Sequence, residues 1–268
     1  MIIGGRTFDF DRYTYVMGIL NVTPDSFSDG GRWNTADKAL TAALKMAEEG
    51  ADIIDVGGES TRPGYTKISD DEEIDRVVPV IERIKKETDI PVSIDTYKAG
   101  VAKAALMAGA NLVNDIWGLK NDPHMAGVIA EYNVPCCLMH NRIDTEYTDF
   151  LQDVKADLNG SLQLAKRAGI AEDKIIIDPG IGFAKNYEQN LLMIKNLSIL
   201  KELGYPILLA ASRKSVIGLT LDLPTEERLE GTLATTVYGA LNGAGMVRVH
   251  DVKANVRALR MLRAIREV

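Results

Sequence analysis

Short apolar runs punctuate the chain at a steady interval: YVMGIL (15–20), ADIIDV (51–56), PVSID (91–95), NLVND (111–115), VPCCLM (134–139), KIIID (174–178), PILLAA (206–211) and MVRV (246–249). Most lack the polar–apolar alternation of a half-solvated strand, so they read as strands covered on both faces. Amphipathic helical patterns lie between them, as in TADKALTAALKMAEEG and DEEIDRVVPVIERIKKE. Several of these end at a glycine just before the next strand, in EEGADII, MAGANLV and NGAGMV, where a left-handed C-terminal cap turns the chain. Covered strands alternating with helices predict a parallel sheet. Eight units of about 33 residues fit a (β/α)8 TIM barrel, a fold of about 250 residues, with 1–268 as a single domain. A doubly wound open sheet is the alternative.

The polar residues at the ends of these runs bear on the choice. The runs finish at or just before Asn21, Asp55, Asp95, Asn114 with Asp115, His140, Asp178, the group Ser212-Arg213-Lys214-Ser215, and Arg248 with His250. A barrel points all its strand ends at one mouth, whereas an open sheet spreads them along a crevice. Convergence therefore predicts a single polar site. Arg248 and His250 are two apart on one strand and share a face. Asp95, Asn114 and Asp178 suit the edge of an aminopyrimidine, because a carboxylate accepts paired N–H groups while an amide both donates and accepts. Asp55 and Asp115 read instead as caps of the turns and helices that follow. Lys214 follows the seventh strand, where barrels often build a phosphate site, and a Schiff-base lysine is the other reading. Two loops, 23–35 and 57–69, are longer than a connection needs and carry Gly-Gly pairs and prolines, which suggests flaps over a ligand.

Composition narrows the partners. A net charge of -7 disfavours nucleic acid and acidic membranes. No apolar run approaches the roughly 18 residues of a membrane span, and the N-terminus lacks the order of a signal peptide, so a cytoplasmic location is expected. Cys136 and Cys137 are adjacent in an apolar run and are expected to be inert core thiols. His124, in NDPHMAG, marks a helix start.

The segments LNVTPDSFSDGG, DVGGESTRPG, SIDT, VNDI, LMH, DPGIGF, SRKS and RVHD, in this order along nearly the whole chain, resemble those of the dihydropteroate synthases. The resemblance implies condensation of 6-hydroxymethyl-7,8-dihydropterin pyrophosphate with p-aminobenzoate, giving 7,8-dihydropteroate and pyrophosphate for folate biosynthesis, with Mg²⁺ assisting. It implies that Asp95, Asn114 and Asp178 hold the pterin, with Lys214 on its carbonyl and Ser215 at the aminobenzoate carboxylate. Arg248 and His250 take the pyrophosphate, Arg248 also covering the ring. Thr61 and Arg62 join that anion shell, and Asn21 reaches it through the metal. Asp29 steadies developing positive charge, and Phe27, Pro63 and Phe183 belong with the substrate-binding residues. A homodimer through outer helices near the C-terminus is a further implication. A corrinoid-linked methyltransferase, a catalytically silent pterin-binding module and a Schiff-base aldolase are the competing readings.

Overall fold

The structure is a computed structural model and describes residues 1–23, 32–60 and 66–268. The chain opens with a hairpin, β1 (Ile2–Ile3) and β2 (Arg6–Thr7), joined through Gly4 and Gly5 at φ of 56° and 80°. Left-handed values at both central residues define the tight turn that suits paired strands, and glycine adopts them at no steric cost.

The repeating units follow: β3 (Tyr15–Asn21), α1 (Arg32–Glu48), β4 (Ile53–Gly57), α2 (Asp70–Glu87), β5 (Val92–Asp95), α3 (Ala99–Met107), β6 (Leu112–Asp115) and α4 (Met125–Tyr132). The second half continues with β7 (Cys136–Met139), α5 (Phe150–Arg167), β8 (Ile175–Asp178), α6 (Tyr187–Lys195), β9 (Ile207–Leu209), α7 (Ser215–Leu221), α8 (Leu229–Leu241), β10 (Ala244–Val249) and α9 (Val252–Arg266). Among the described residues, β3 to β10 pair in sequence order and β10 returns to β3, closing a parallel eight-stranded barrel. The eight sequence-predicted strands are these eight, each within two residues of its expected start.

Side chains alternate inward and outward along each strand. Outward residues such as Ile54, Val56, Ile94, Val113, Leu138 and Ile177 join α-helical residues in the main core. Inward residues Met17, Ile53, Leu112, Cys137, Ile176, Leu208 and Met246 form a separate apolar storey, closed from below by Ile3 and Phe8. Gly18 faces outward, where a Cβ would lie 2.9 Å from Met46 Sδ and 3.1 Å from Val252 Cγ2, so its bareness lets α1 and α9 approach the sheet. Cys136 and Cys137 are free and fully buried, and burial pushes both thiols up, as expected of inert core residues. No described helix is long and apolar enough to cross a membrane.

Candidate active site

One step of two residues beyond the apolar storey, each strand points its next inward side chain toward the C-terminal mouth. That second storey contains Ile19, Asp55, Asp95, Asn114, Met139, Asp178, Ala210 and Arg248. Ladder pairing sets them at matching heights: Ile19 opposite Asp55, Asp95 opposite Asn114, and Met139 opposite Asp178. The barrel therefore gathers three carboxylates, an amide and a guanidinium in one layer, directly above hydrocarbon.

Arg248 organises this layer. Its Nε donates to Asp55 Oδ2 at 2.5 Å and one Nη to Asp95 Oδ2 at 2.5 Å, while Asn114 Nδ2 donates to Asp55 Oδ2 at 3.1 Å. The remaining oxygens, Asp55 Oδ1 and Asp95 Oδ1, are buried with no hydrogen-bond partner among the described residues. A buried acceptor without a donor costs about 1–3 kcal/mol, so these oxygens are suited to receive N–H groups from a ligand. Burial lifts the Asp95 carboxyl to about 7 even with Arg248 opposing it. Burial also raises Asp178, against the pull of the Lys214 ammonium and the Gly180 N–H, which Asp178 Oδ1 accepts at 2.7 Å.

The expected placement of Asp55 is overturned. It closes no turn and caps no helix; its side chain is wholly buried between Asn114 and Arg248. Its parity was the available signal, since it stands two residues beyond the inward Ile53. Asp115 does behave as expected, accepting the backbone N–H groups of Trp117 and Leu119 at 2.8 and 2.7 Å.

Lys214 caps α7 at the mouth, its ammonium hydrogen-bonded to the Ile181 carbonyl and lying 4.8 Å over the Phe183 ring. Burial pushes its pKa down to about 8, with Asp178 resisting. Phe183 packs with Trp117 on Tyr97, Ile116 and Met139, an apolar wall whose last three members were not anticipated. Ser215 is the exposed first residue of α7. His250 Nδ1 lies 3.0 Å from Ser212 Oγ. Arg213 is no loose neighbour: at φ 55° it holds the turn before Lys214 through a two-point pair with Asp251, at 2.9 and 2.6 Å. Asn21 ends β3 near Asp95: a Cβ on Gly57 would lie 3.8 Å from Asn21 Oδ1 and 3.6 Å from Asp95 Oδ2. Asp29 and Phe27, with Thr61, Arg62 and Pro63, lie outside the described residues, as do 24–31 and 61–65 of the two predicted flaps.

Both ends of the second flap meet a buried ion cluster that the sequence reading missed. Lys98 Nζ donates to Glu59 at 2.8 Å, to Glu73 at 2.7 Å and to the Ile68 carbonyl at 2.8 Å. Tyr97 Oη and the Ile68 N–H complete Glu59 at 2.6 and 2.9 Å. At the opposite, N-terminal end of the barrel a 640 Å³ cavity lies between Tyr13, Asp52, Arg260 and Arg263, away from this chemistry.

Comparison with known proteins accords with this geometry. Residues 17–250 match the pterin-binding enzyme family. The chain is 61% identical over 262 residues to dihydropteroate synthase of Clostridium beijerinckii, covering 97% of each. It superposes on a Clostridium difficile dihydropteroate synthase solved in the presence of pteroic acid with a TM-score of 0.95, at 53% identity over 97% of this chain and 99% of that one. The Xanthomonas albilineans dihydropteroate synthase with 4-aminobenzoic acid gives 0.94, at 44% identity, 99% and 97% covered.

Proposed function

Because this chain belongs to the pterin-binding enzyme family, within its dihydropteroate synthases, we propose a role for each residue of the mouth in the reaction of that family. The activity is condensation of 6-hydroxymethyl-7,8-dihydropterin pyrophosphate with p-aminobenzoate to 7,8-dihydropteroate and pyrophosphate. The observation that carries the assignment is the convergence of Asp55, Asp95, Asn114, Asp178 and Arg248 on one inward layer.

Asp95, Asn114 and Asp178 receive the pterin's aminopyrimidine edge, and Asp55 fixes Asn114 and Arg248 for it. Lys214 meets the pterin carbonyl. At about 8 its pKa keeps the ammonium mostly protonated near neutrality, which suits a hydrogen-bond donor and not the neutral amine of a Schiff base. Arg248 and His250, with Thr61 and Arg62, take the pyrophosphate. Arg248 must release one of its two carboxylates to do so, so ligand binding exchanges one ion pair for another. Phe27, Pro63 and Phe183 wall the aminobenzoate ring, with Ser215 at its carboxylate. Pyrophosphate departs from a carbon on an electron-rich reduced pterin, and Asp29 steadies the positive charge that develops as the C–O bond lengthens. The neutral arylamine attacks with its lone pair, forms the C–N bond and then loses its proton to solvent, so no general base is required.

Asn21 offers one neutral amide oxygen beside the mouth, a donor that suits Mg²⁺ when a diphosphate and water supply the rest of its oxygen shell. Bound there, the ion would neutralise charge on the departing diphosphate. Pyrophosphate release should depend on both p-aminobenzoate and Mg²⁺, and fall to background when a chelator removes the metal. Release unaffected by omitting p-aminobenzoate would reject the reaction, and release unaffected by the chelator would reject the metal.

A homodimer is part of this reading. Leu191 and Leu192 of α6, Leu219 and Leu221 of α7, and Tyr238 and Leu241 of α8 are all exposed apolar residues on three consecutive helices, a pattern that suits burial against a second copy. Sedimentation equilibrium should report twice the monomer mass at micromolar concentration, and monomer throughout would exclude it.

A further inference from the structure

We propose that Lys185, held by His140 and Asp157, is a positioning residue that seats the β8–α6 loop, and with it Phe183 and Lys214, for the aromatic amine substrate; this rests on the roles given above to those two residues. Neither Lys185 nor Asp157 stood out in the sequence, and His140 has no part in the reaction as described.

The Lys185 side chain is buried, with its ammonium 2.8 Å from His140 Nδ1, 3.0 Å from the Gly180 carbonyl and 3.1 Å from the Phe183 carbonyl. An ammonium has three N–H groups and no lone pair, so all three are used and His140 Nδ1 must accept. Its proton is then on Nε2, which faces Asp157 Oδ2 at 3.1 Å. The chain runs Asp157, His140, Lys185, loop carbonyls, each link fixing the next. Burial agrees with this assignment, pushing His140 down to about 4 and so keeping the ring neutral at pH 7. Asp178 and Asp157 favour the Lys185 cation, while Lys214 and Lys120 oppose it.

What Lys185 grips is the backbone on either side of the substrate-facing groups. Between the two carbonyls lies Ile181, whose own carbonyl takes the Lys214 ammonium, and Phe183 supplies the ring under that ammonium. The loop has little freedom to settle elsewhere. Gly180, at φ 68°, runs so close to β7 that a Cβ would fall 2.0 Å from the His140 carbonyl oxygen. Asp178, by contrast, is fixed by its strand. Loss of the Lys185 tether therefore moves Phe183 and the seat of Lys214 while leaving the strand residues of the pterin layer in place.

Steady-state kinetics on the full chain test this. Lys185→Met keeps the length and removes the donors; the KM for p-aminobenzoate should rise about tenfold, well above any change in the KM for the pterin pyrophosphate. Asp157→Ala leaves the ammonium but frees the imidazole, and should give the same split at about threefold. If Lys185→Met does not fold, Asp157→Ala decides. Equal rises in both KM values, or unchanged KM values with only a lower melting temperature, would overturn the proposal. Failure of the wild-type enzyme to use p-aminobenzoate at all would instead overturn the function on which it rests.

Discussion

Lys98→Met should lower the unfolding free energy by about 3–5 kcal/mol at pH 8, the range for a buried ion pair that loses one partner. The side chains of Lys98, Glu59 and Glu73 are only 11, 3 and 1% exposed, so water cannot replace the missing ammonium. Two carboxylates would be stranded together, one of them, Glu73, already raised by burial even with Lys98 present. The loss should shrink as pH falls. Without the cation both carboxyls have folded-state pKa values above the unfolded one, so they are penalised above the folded pKa and relieved as protons bind below it. Urea denaturation at pH 8 and pH 5 measures both quantities, and adding Glu59→Gln and Glu73→Gln to the variant should recover much of the stability. A loss below 1 kcal/mol at pH 8, or one that grows toward pH 5, would show that the cluster does not act as a buried ion network. Because Glu59 and Ile68 stand on either side of residues 61–65, this cluster also sets where that loop leaves and rejoins the barrel.

Asp178→Ala should abolish measurable pterin binding and leave the barrel folded. Hydrogen bonds to a charged group contribute about 1.5–3 kcal/mol each; two lost together correspond to roughly a hundredfold to ten-thousandfold in affinity. The structural loss is smaller, because the internal partner removed is the single Gly180 N–H, at about 1 kcal/mol. The variant also strands positive charge at Lys214 and Lys185, which should deepen the binding defect for a heterocycle whose N–H groups need an anion. Calorimetric titration with a pterin, alongside a urea transition, separates the two effects. Affinity within threefold of wild type, or a variant that fails to fold, would contradict the placement of Asp178 at the pterin edge.

The barrel was legible because its strands are covered on both sides and so write themselves as unbroken apolar runs; the intervals between them then fix the count. The N-terminal hairpin was not, since strands of two residues carry no periodicity, and only the glycine pair at 4 and 5 hints at the turn. Within the site, Asp95, Asn114, Asp178 and Arg248 could be singled out as reactive types ending strands. Asp55 was misplaced because its position at a strand end was weighed while its inward parity was not. The Lys185–His140 contact joins residues 45 positions apart, and Lys98–Glu59 joins residues 39 apart. Such partners are set by how neighbouring βα loops fold against each other, which no local pattern records.

The apolar storey beneath Arg248 makes the charged layer a cul-de-sac. Met17, Ile53, Leu112, Ile176 and Met246 leave no aqueous route from below, so solvent exchanges with Asp55 and Asp95 only past the mouth. A flat heterocycle lying across that mouth then cuts off the last dielectric shielding, and each ion pair behind it strengthens at the moment of binding. The hydrocarbon floor, which touches no substrate, thus amplifies the polarity of everything above it.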